Sequence, residues 1–213
     1  MIIVLLGESG SGKSTTAKMM KDYYPIIGDF KEIVLYTTRP IREGEVDGVD
    51  YHFVSKDKFA KMRERNELIN IEDYNGWFYA SRKSDYLDGQ NHIVCLTPSG
   101  LRKLKQVFGH CELIVSIYLY VNRRARLIKM LERGDDIEES YRRNLSDVGQ
   151  FKGILDEVDY VILNDQYQLS PHDVCWKITD IINELLRKIK ENKEGYKNSW
   201  LHCTLPDVLN AWY

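Results

Sequence analysis

The chain opens on an unbroken apolar run, Ile2-Ile3-Val4-Leu5-Leu6, rich in β-branched residues. Such a run, too short for a helix, predicts a strand buried on both faces, as in a parallel sheet. Residues 14–23 follow as a helix that stops near Pro25, and residues 33–36 read as a second strand. Residues 56–65 form a short amphipathic helix, with Phe59 and Met62 on one face. Residues 68–74 and 77–80 read as the arms of a hairpin around Asn75-Gly76, a dipeptide that tolerates the positive φ of a tight turn. Residues 92–96 and 113–121 are again continuous apolar strands. Two polar helices, 123–133 and 136–151, are separated by Gly134-Asp135, and residues 159–163 make a last strand. A long helix over 172–193 repeats Val174, Ile178, Ile181, Ile182, Leu185 and Ile189 at helical spacing. Strands alternating with helices predict an α/β fold of three layers, a central parallel sheet with helices on both faces. Beyond Glu194 the pattern changes. Trp200, Leu201, Leu205, Val208, Leu209, Trp212 and Tyr213 make this extension, residues 191–213, too apolar for an idle tail. It is expected to pack back on the domain or on a second copy, giving a homodimer.

Composition adds bounds rather than a function. The 213 residues are 43% hydrophobic and 29% charged, ordinary for one globular domain with room for a mobile subdomain. A net charge of −2 supplies no bulk attraction to nucleic acid or anionic membrane. The first apolar run is too short to span a bilayer and lacks the basic start of a signal peptide. Cys95, Cys111, Cys175 and Cys203 have no metal-ligand spacing and read as reduced thiols of a cytoplasmic protein. His110-Cys111 and His202-Cys203 are adjacent pairs, a poor arrangement for zinc.

Chemistry enters at Gly7-Glu8-Ser9-Gly10-Ser11-Gly12-Lys13-Ser14, which fills the pattern G-x-x-x-x-G-K-[ST] between a predicted strand and a predicted helix. Glycines at 7, 10 and 12 let backbone N–H groups close around phosphate oxygens, and the helix beginning near Lys13 turns its positive end to the same anion. Lys13 is expected on the β- and γ-phosphates, the Ser14 hydroxyl at Mg²⁺, and Thr15 beside them. Glu8, an acid inside an anion site, is expected to point outward.

The stretch 37–53, with Arg39, Arg42 and Tyr51 among glycine turns, can clamp a second dianion through forked guanidinium donors and a phenol. On spacing alone a solvated loop is equally open, because Glu43 and Glu45 can neutralise both arginines.

These residues, taken together, resemble the guanylate kinase family. The signature over 37–53 is filled at each anchored position. The loop 7–14 resembles the family's ATP loop, and Asn75-Gly76-Trp77-Phe78-Tyr79 its turn that brings a tyrosine, here Tyr79, to the acceptor phosphate. Leu131-Glu132-Arg133-Gly134-Asp135 and the following helix resemble the lid, and residues 159–165 the strand whose asparagine, here Asn164, touches adenine. The resemblance spans about residues 1–190. It implies a P-loop NTPase core (1–34, 90–122 and 155–190), a small α+β NMP-binding subdomain (about 35–89) and a helical lid (about 123–154). It also implies phosphoryl transfer from ATP, with Mg²⁺, to a nucleoside monophosphate. Lys13 would hold the donor; Arg39, Arg42, Tyr51 and Tyr79 would hold the acceptor phosphate; Arg133 would close over the transferring group and exclude water.

The chain departs from the family at the base. Two carboxylates that accept the guanine donors align with Asn70 and Thr97, and a reading serine aligns with Leu35. An amide carries a donor and an acceptor and suits adenine, cytosine or uracil edges better. Glu72, two residues along the strand and so on the same face as Asn70, is a candidate replacement. Residues 93–97 carry no aspartate, so the family's carboxylate near Mg²⁺ is missing. A lid arginine aligns with Asn144, though a shift of one residue restores it at Arg143; another becomes Lys129, which loses the fork.

Two other readings stay open: a P-loop kinase acting on a different phosphate ester, and a binding module that has kept the fold. Arg123-Arg124-Ala125-Arg126 is expected to be a solvated helix start, and Trp200 and Trp212 packing residues.

Overall fold

In the computed structural model the central layer is a five-stranded, all-parallel sheet. The structure describes residues 1–23, 30–74, 76–110 and 112–191. The sheet runs β2 (Phe30–Glu32), β7 (Asn91–Cys95), β1 (Ile2–Leu6), β8 (Ile114–Tyr120) and β9 (Tyr160–Leu163). β1 is the middle strand and every residue of it is buried, as an apolar run with no alternation requires. On one face Ile3, Leu5, Ile93 and Ile117 pack against α1 (Lys13–Tyr23) and α6 (Pro171–Glu191). On the other, Ile2, Val4, Val94 and Tyr118 pack against α3 (Pro98–Phe108).

A second sheet stands beside the first, ordered β4 (His52–Phe53), β3 (Tyr36–Thr37), β6 (Trp77–Arg82) and β5 (Leu68–Tyr74), covered by α2 (Lys56–Glu64) through Phe59 and Met62. The β5–β6 hairpin forms with Tyr74 opposite Trp77 and Gly76 at φ 76°; Asn75 lies outside the described residues. α4 (Arg123–Glu132) and α5 (Ile137–Ser146) form the remaining helical pair.

Three sequence expectations change. Residues 33–36 are not one strand: β2 ends at Glu32 in the large sheet and β3 begins at Tyr36 in the small one, so this segment is the crossing between them. The second polar helix is shorter, ending at Ser146, with turns over the next residues. α3 went unseen because Pro98-Ser99-Gly100 opens it with poor helix formers. Yet Pro98 sits in its first turn, Thr97 caps it by accepting from Gly100 N–H at 3.1 Å, and Leu101, Leu104 and Phe108 bury its inner face. Cys175 is buried and Cys95 half-buried, both as free thiols. Among the described residues no helix is long and apolar enough to cross a membrane. Cys111, Cys203 and the apolar extension from 192, with its expected packing or dimer role, lie outside the described residues.

Candidate functional site

The phosphate loop leaves the buried end of β1 and enters α1 at Lys13. Gly7 has φ +153°, and a Cβ there would stand 2.5 Å from Ser11 Oγ and 2.8 Å from the Leu119 carbonyl, so only glycine closes the turn. The Ser11 side chain is buried, its Oγ without a hydrogen-bond partner, while Ser14 and Thr15 open to solvent at the helix start. Lys13 Nζ donates to the carbonyls of Gly7 and, at 3.0 Å, of Glu8. Burial lowers its pKa, the cost of holding an ammonium out of water. Loop N–H groups, a helix N-terminus, Lys13 and two hydroxyls make a donor set suited to a polyphosphate.

Glu8 does not point outward. Its carboxylate accepts from Tyr118 Oη at 2.9 Å and lies 3.8 Å from the Arg126 guanidinium. Arg126, expected in solvent, is 4% exposed. Its Nε donates to the Val121 carbonyl and its Nη1 to the Ser9 carbonyl, both at 3.0 Å. Asp147, just past α5, completes the group by accepting from the Ser9 N–H at 2.7 Å and lying 3.7 Å from Arg126. An acid at position 8 is tolerated because a buried cation faces it from α4. A charged residue in a polar helix start carries no sequence signal of such burial.

The second cluster forms where β3, β4 and β6 meet. The rings of Tyr51 and Tyr79 are 5.8 Å apart, and the Arg39 guanidinium lies 5.5 Å from the ring centroids of Tyr51 and Phe53. Arg39 is buried and donates to Glu45 at 2.6 Å and to the Pro40 carbonyl at 2.7 Å. Glu45 also accepts from the Arg42 N–H at 2.8 Å, while the Arg42 side chain crosses to Glu139 of α5. Both arginines are therefore neutralised by acids; Arg39 stays against the Tyr51 ring, while Arg42 is partly exposed and turned to α5. Burial pushes the Tyr51 hydroxyl up to about 12, so it is a neutral donor. Lys18 of α1 reaches Asp50 at 2.6 Å and ties this loop to the phosphate-loop helix.

The helical pair closes over both clusters. Tyr74 Oη donates to Ser146 Oγ at 2.5 Å, and Arg142 lies over the Tyr74 ring while pairing with Glu139. Arg143 sits 3.6 Å from Asp135, and its charge acts on Lys13 of the loop and on Arg42 and Tyr51 of the second cluster. Arg133 is turned to Asp135, with its side chain largely exposed. Asn144 is buried and accepts from Arg123 Nε, so it stands away from the arginine role that its alignment suggested. Lys129 pairs loosely with Glu132 at 3.7 Å.

At the far end of the cleft a β-bulge interrupts β5 between Ile69 and Glu72, with Asn70 at φ 58°. The simple alternation that put Asn70 and Glu72 side by side is broken. Glu72, opposite Tyr79, accepts from the Thr97 hydroxyl at the end of β7. Asn70 is buried deeper, where its Nδ2 donates to Ser81 Oγ at 3.2 Å, an oxygen that also accepts from the Tyr86 hydroxyl at 3.0 Å. With the amide donor so used, its buried Oδ1 has no partner. Lys103 of α3 fixes the bulge by donating to the Ile71 carbonyl at 2.7 Å. Leu35 is half-buried against the core. Asn164 uses its side-chain amide on Leu169, donating to the carbonyl and accepting from the N–H, which shapes the loop after β9.

Comparison with known proteins agrees with this geometry. A sequence model of the family described as guanylate kinase matches residues 1–185. The guanylate kinase of Chlorobaculum tepidum is 31% identical over 186 residues, covering 85% of this chain and 93% of its own. That of Synechococcus sp. (strain JA-3-3Ab) is 31% identical over 172 residues, covering 78% and 76%. The crystal structure of guanylate kinase from Anaplasma phagocytophilum superposes with a TM-score of 0.64 over 93% of this chain and 97% of its own, at 22% identity.

Proposed function

The chain belongs to the guanylate kinase family, and from that premise we propose that it transfers the γ-phosphate of ATP to GMP or dGMP. The observation that carries the proposal is the pairing of two anion sites under one lid: the phosphate loop on one side, and Arg39, Arg42, Tyr51 and Tyr79 on the other, with Arg143 between. In this reading residues 35–89 are the NMP-binding subdomain and residues 123–154 the lid. Lys13 and the loop N–H groups orient the donor, the arginines and tyrosines orient the acceptor, and Arg143 neutralises charge on the transferring group. The Ser14 hydroxyl, exposed at the start of α1, is the loop oxygen that would hold the Mg²⁺ carried by ATP, and the ion would there supply further charge neutralisation. Closure through Tyr74–Ser146 and Arg42–Glu139 excludes water and so limits wasted hydrolysis.

Two acceptors favour guanine despite the changed residues. Glu72 is acceptor-only, and the oxygen engaged by Thr97 leaves the other to meet an N–H. Asn70 donates its amide to Ser81 Oγ, and its carbonyl is the group left without a partner. Of the common bases, guanine carries two adjacent N–H donors on one edge. Adenine and cytosine would leave one acceptor facing another, and unpaired polar groups reject a wrong base strongly.

The test is acceptor-dependent ADP release with GMP, dGMP, AMP, CMP, UMP, dTMP and a sugar phosphate. Turnover should be highest with the guanine nucleotides. Faster turnover with AMP or CMP would refute the base assignment, and a sugar-phosphate preference would refute the nucleotide. ADP release unaffected by every acceptor would refute the kinase. Glu72→Gln should lower kcat/KM for GMP by about 10- to 150-fold, the span of one hydrogen bond to a charged group.

A further inference from the structure

β5 carries one residue too many for its partner strand. Ile69 pairs with Ser81 and Glu72 with Tyr79, so Asn70 and Ile71 together stand opposite Ala80. Such a bulge breaks the ladder locally and re-aims the side chains beside it. Asn70 holds φ 58°, a left-handed conformation uncommon outside glycine. Lys103 of α3 takes hold of the next residue. Its Nζ donates to the Ile71 carbonyl at 2.7 Å, from 32 positions along the chain. An ammonium is a strong donor to a carbonyl, and this one is half-buried.

The same helix holds Glu72, the first residue after the bulge. Thr97, the N-cap of α3, accepts from the Gly100 N–H at 3.1 Å and turns its own hydroxyl hydrogen to the Glu72 carboxylate. Leu101 and Leu104 are buried in the core of the large sheet, so α3 is anchored independently of β5. Glu72 is therefore gripped twice from one helix: at its carboxylate by Thr97, and through the backbone one residue earlier by Lys103.

We propose that Lys103 is a positioning residue for the acceptor's base. By holding the Ile71 carbonyl it fixes the bulge, and the bulge sets where the Glu72 carboxylate and the Asn70 carbonyl stand. The lysine itself reads nothing, because its ammonium is committed to backbone. The proposal rests on Glu72 and Asn70 being the base-reading acceptors and deepens that reading, tying base selectivity to a helix of the core. A pair of acceptors discriminates between bases only while its geometry is held, since an acceptor moved out of line leaves an N–H unpaired.

The experiment is calorimetric binding of GMP, IMP and AMP to the full chain, with kcat and KM alongside, for wild type, Lys103→Met, Lys103→Arg, Glu72→Gln and Lys103→Met combined with Glu72→Gln. IMP lacks the 2-amino group of GMP, so the ratio of the two reads the second N–H. Lys103→Met keeps most of the stem and removes the donor. It should weaken GMP binding about 10-fold, the scale of one hydrogen bond to a charged group, and shrink the preference for GMP over IMP. ATP affinity and kcat at saturating GMP should stay near wild type. Lys103→Arg, which keeps a cationic donor, should recover most of the loss. In the Glu72→Gln background Lys103→Met should cost less than about threefold more, because the charge that it positions has gone. GMP affinity and preference unchanged in Lys103→Met overturn the proposal and leave the acceptor site standing. Equal weakening of all three nucleotides with a lowered Tm, unrelieved by Lys103→Arg, overturns it by making the lysine structural. Full multiplication of the two effects in the double variant overturns it by separating Lys103 from Glu72. A wild type that prefers AMP overturns the guanine assignment itself, and the proposal with it.

Discussion

Arg126→Met tests the buried charge group that supports the phosphate loop. The guanidinium is buried, makes two 3.0 Å hydrogen bonds to backbone carbonyls, and faces the carboxylates of Glu8 and Asp147, whose side chains are 15% and 9% exposed. Methionine matches much of its length but none of its charge. The substitution strands two carbonyl acceptors and leaves two half-dry carboxylates near each other without a cation. Breaking a buried pair by removing one partner costs about 3–5 kcal/mol. For a chain of this size each kcal/mol lowers Tm by about 2–4 °C, so the expected fall is about 6–20 °C. Thermal unfolding by circular dichroism at pH 7 measures it. Adding Glu8→Gln should return part of the loss, because one stranded charge is then gone; the two effects are coupled and will not add. A fall of less than about 2 °C would show that these charges are solvated and that Arg126 is not the loop's counter-ion. ATP affinity should fall in parallel, since Arg126 also holds the Ser9 carbonyl.

Other outcomes follow from the same geometry. Lys13→Ala should lower kcat by at least about 10²–10³-fold, the scale of losing one preorganised charge-stabilising donor, with little change in Tm; near-normal steady-state turnover would rule out the loop as donor site. Gly7→Ala should abolish ATP binding by calorimetry, because its Cβ meets the Leu119 carbonyl as well as Ser11, and backbone cannot step aside. Glu45, Asp135 and Glu139 are each held below their ordinary carboxylate range, against the cost of burial, by hydrogen bonds from arginines. Their contribution to stability is therefore complete at neutral pH and is lost as pH falls below about 4.5 through their lowered values. Tm measured from pH 7 to pH 3 should drop in that window, and Glu139→Gln should flatten the drop.

Much of the fold was legible along the chain. The apolar runs at 2–6, 92–96 and 113–121 became the middle of the sheet, because a strand covered on both faces has no polar alternation to confuse the reading. α3 was hidden by a Pro-Ser-Gly start, since its burial rather than its local propensity makes it a helix. The segment after β2 misled because apolar residues that cross between two sheets look like a strand when only the pattern is seen.

The functional residues divide along the same line. The phosphate loop and the arginine–tyrosine signature are local: the chemistry needs certain residue types a few positions apart, so order along the chain announces them. The direction of Glu8, the burial of Arg126 and the partner of the Ser9 N–H depend on residues 110 to 138 positions away. They exist only once β8, α4 and the end of α5 lie against the loop. The acceptor character of Asn70 is likewise a tertiary fact. By itself an amide offers a donor and an acceptor alike; a bulge in β5 and the Ser81 hydroxyl decide which of them remains.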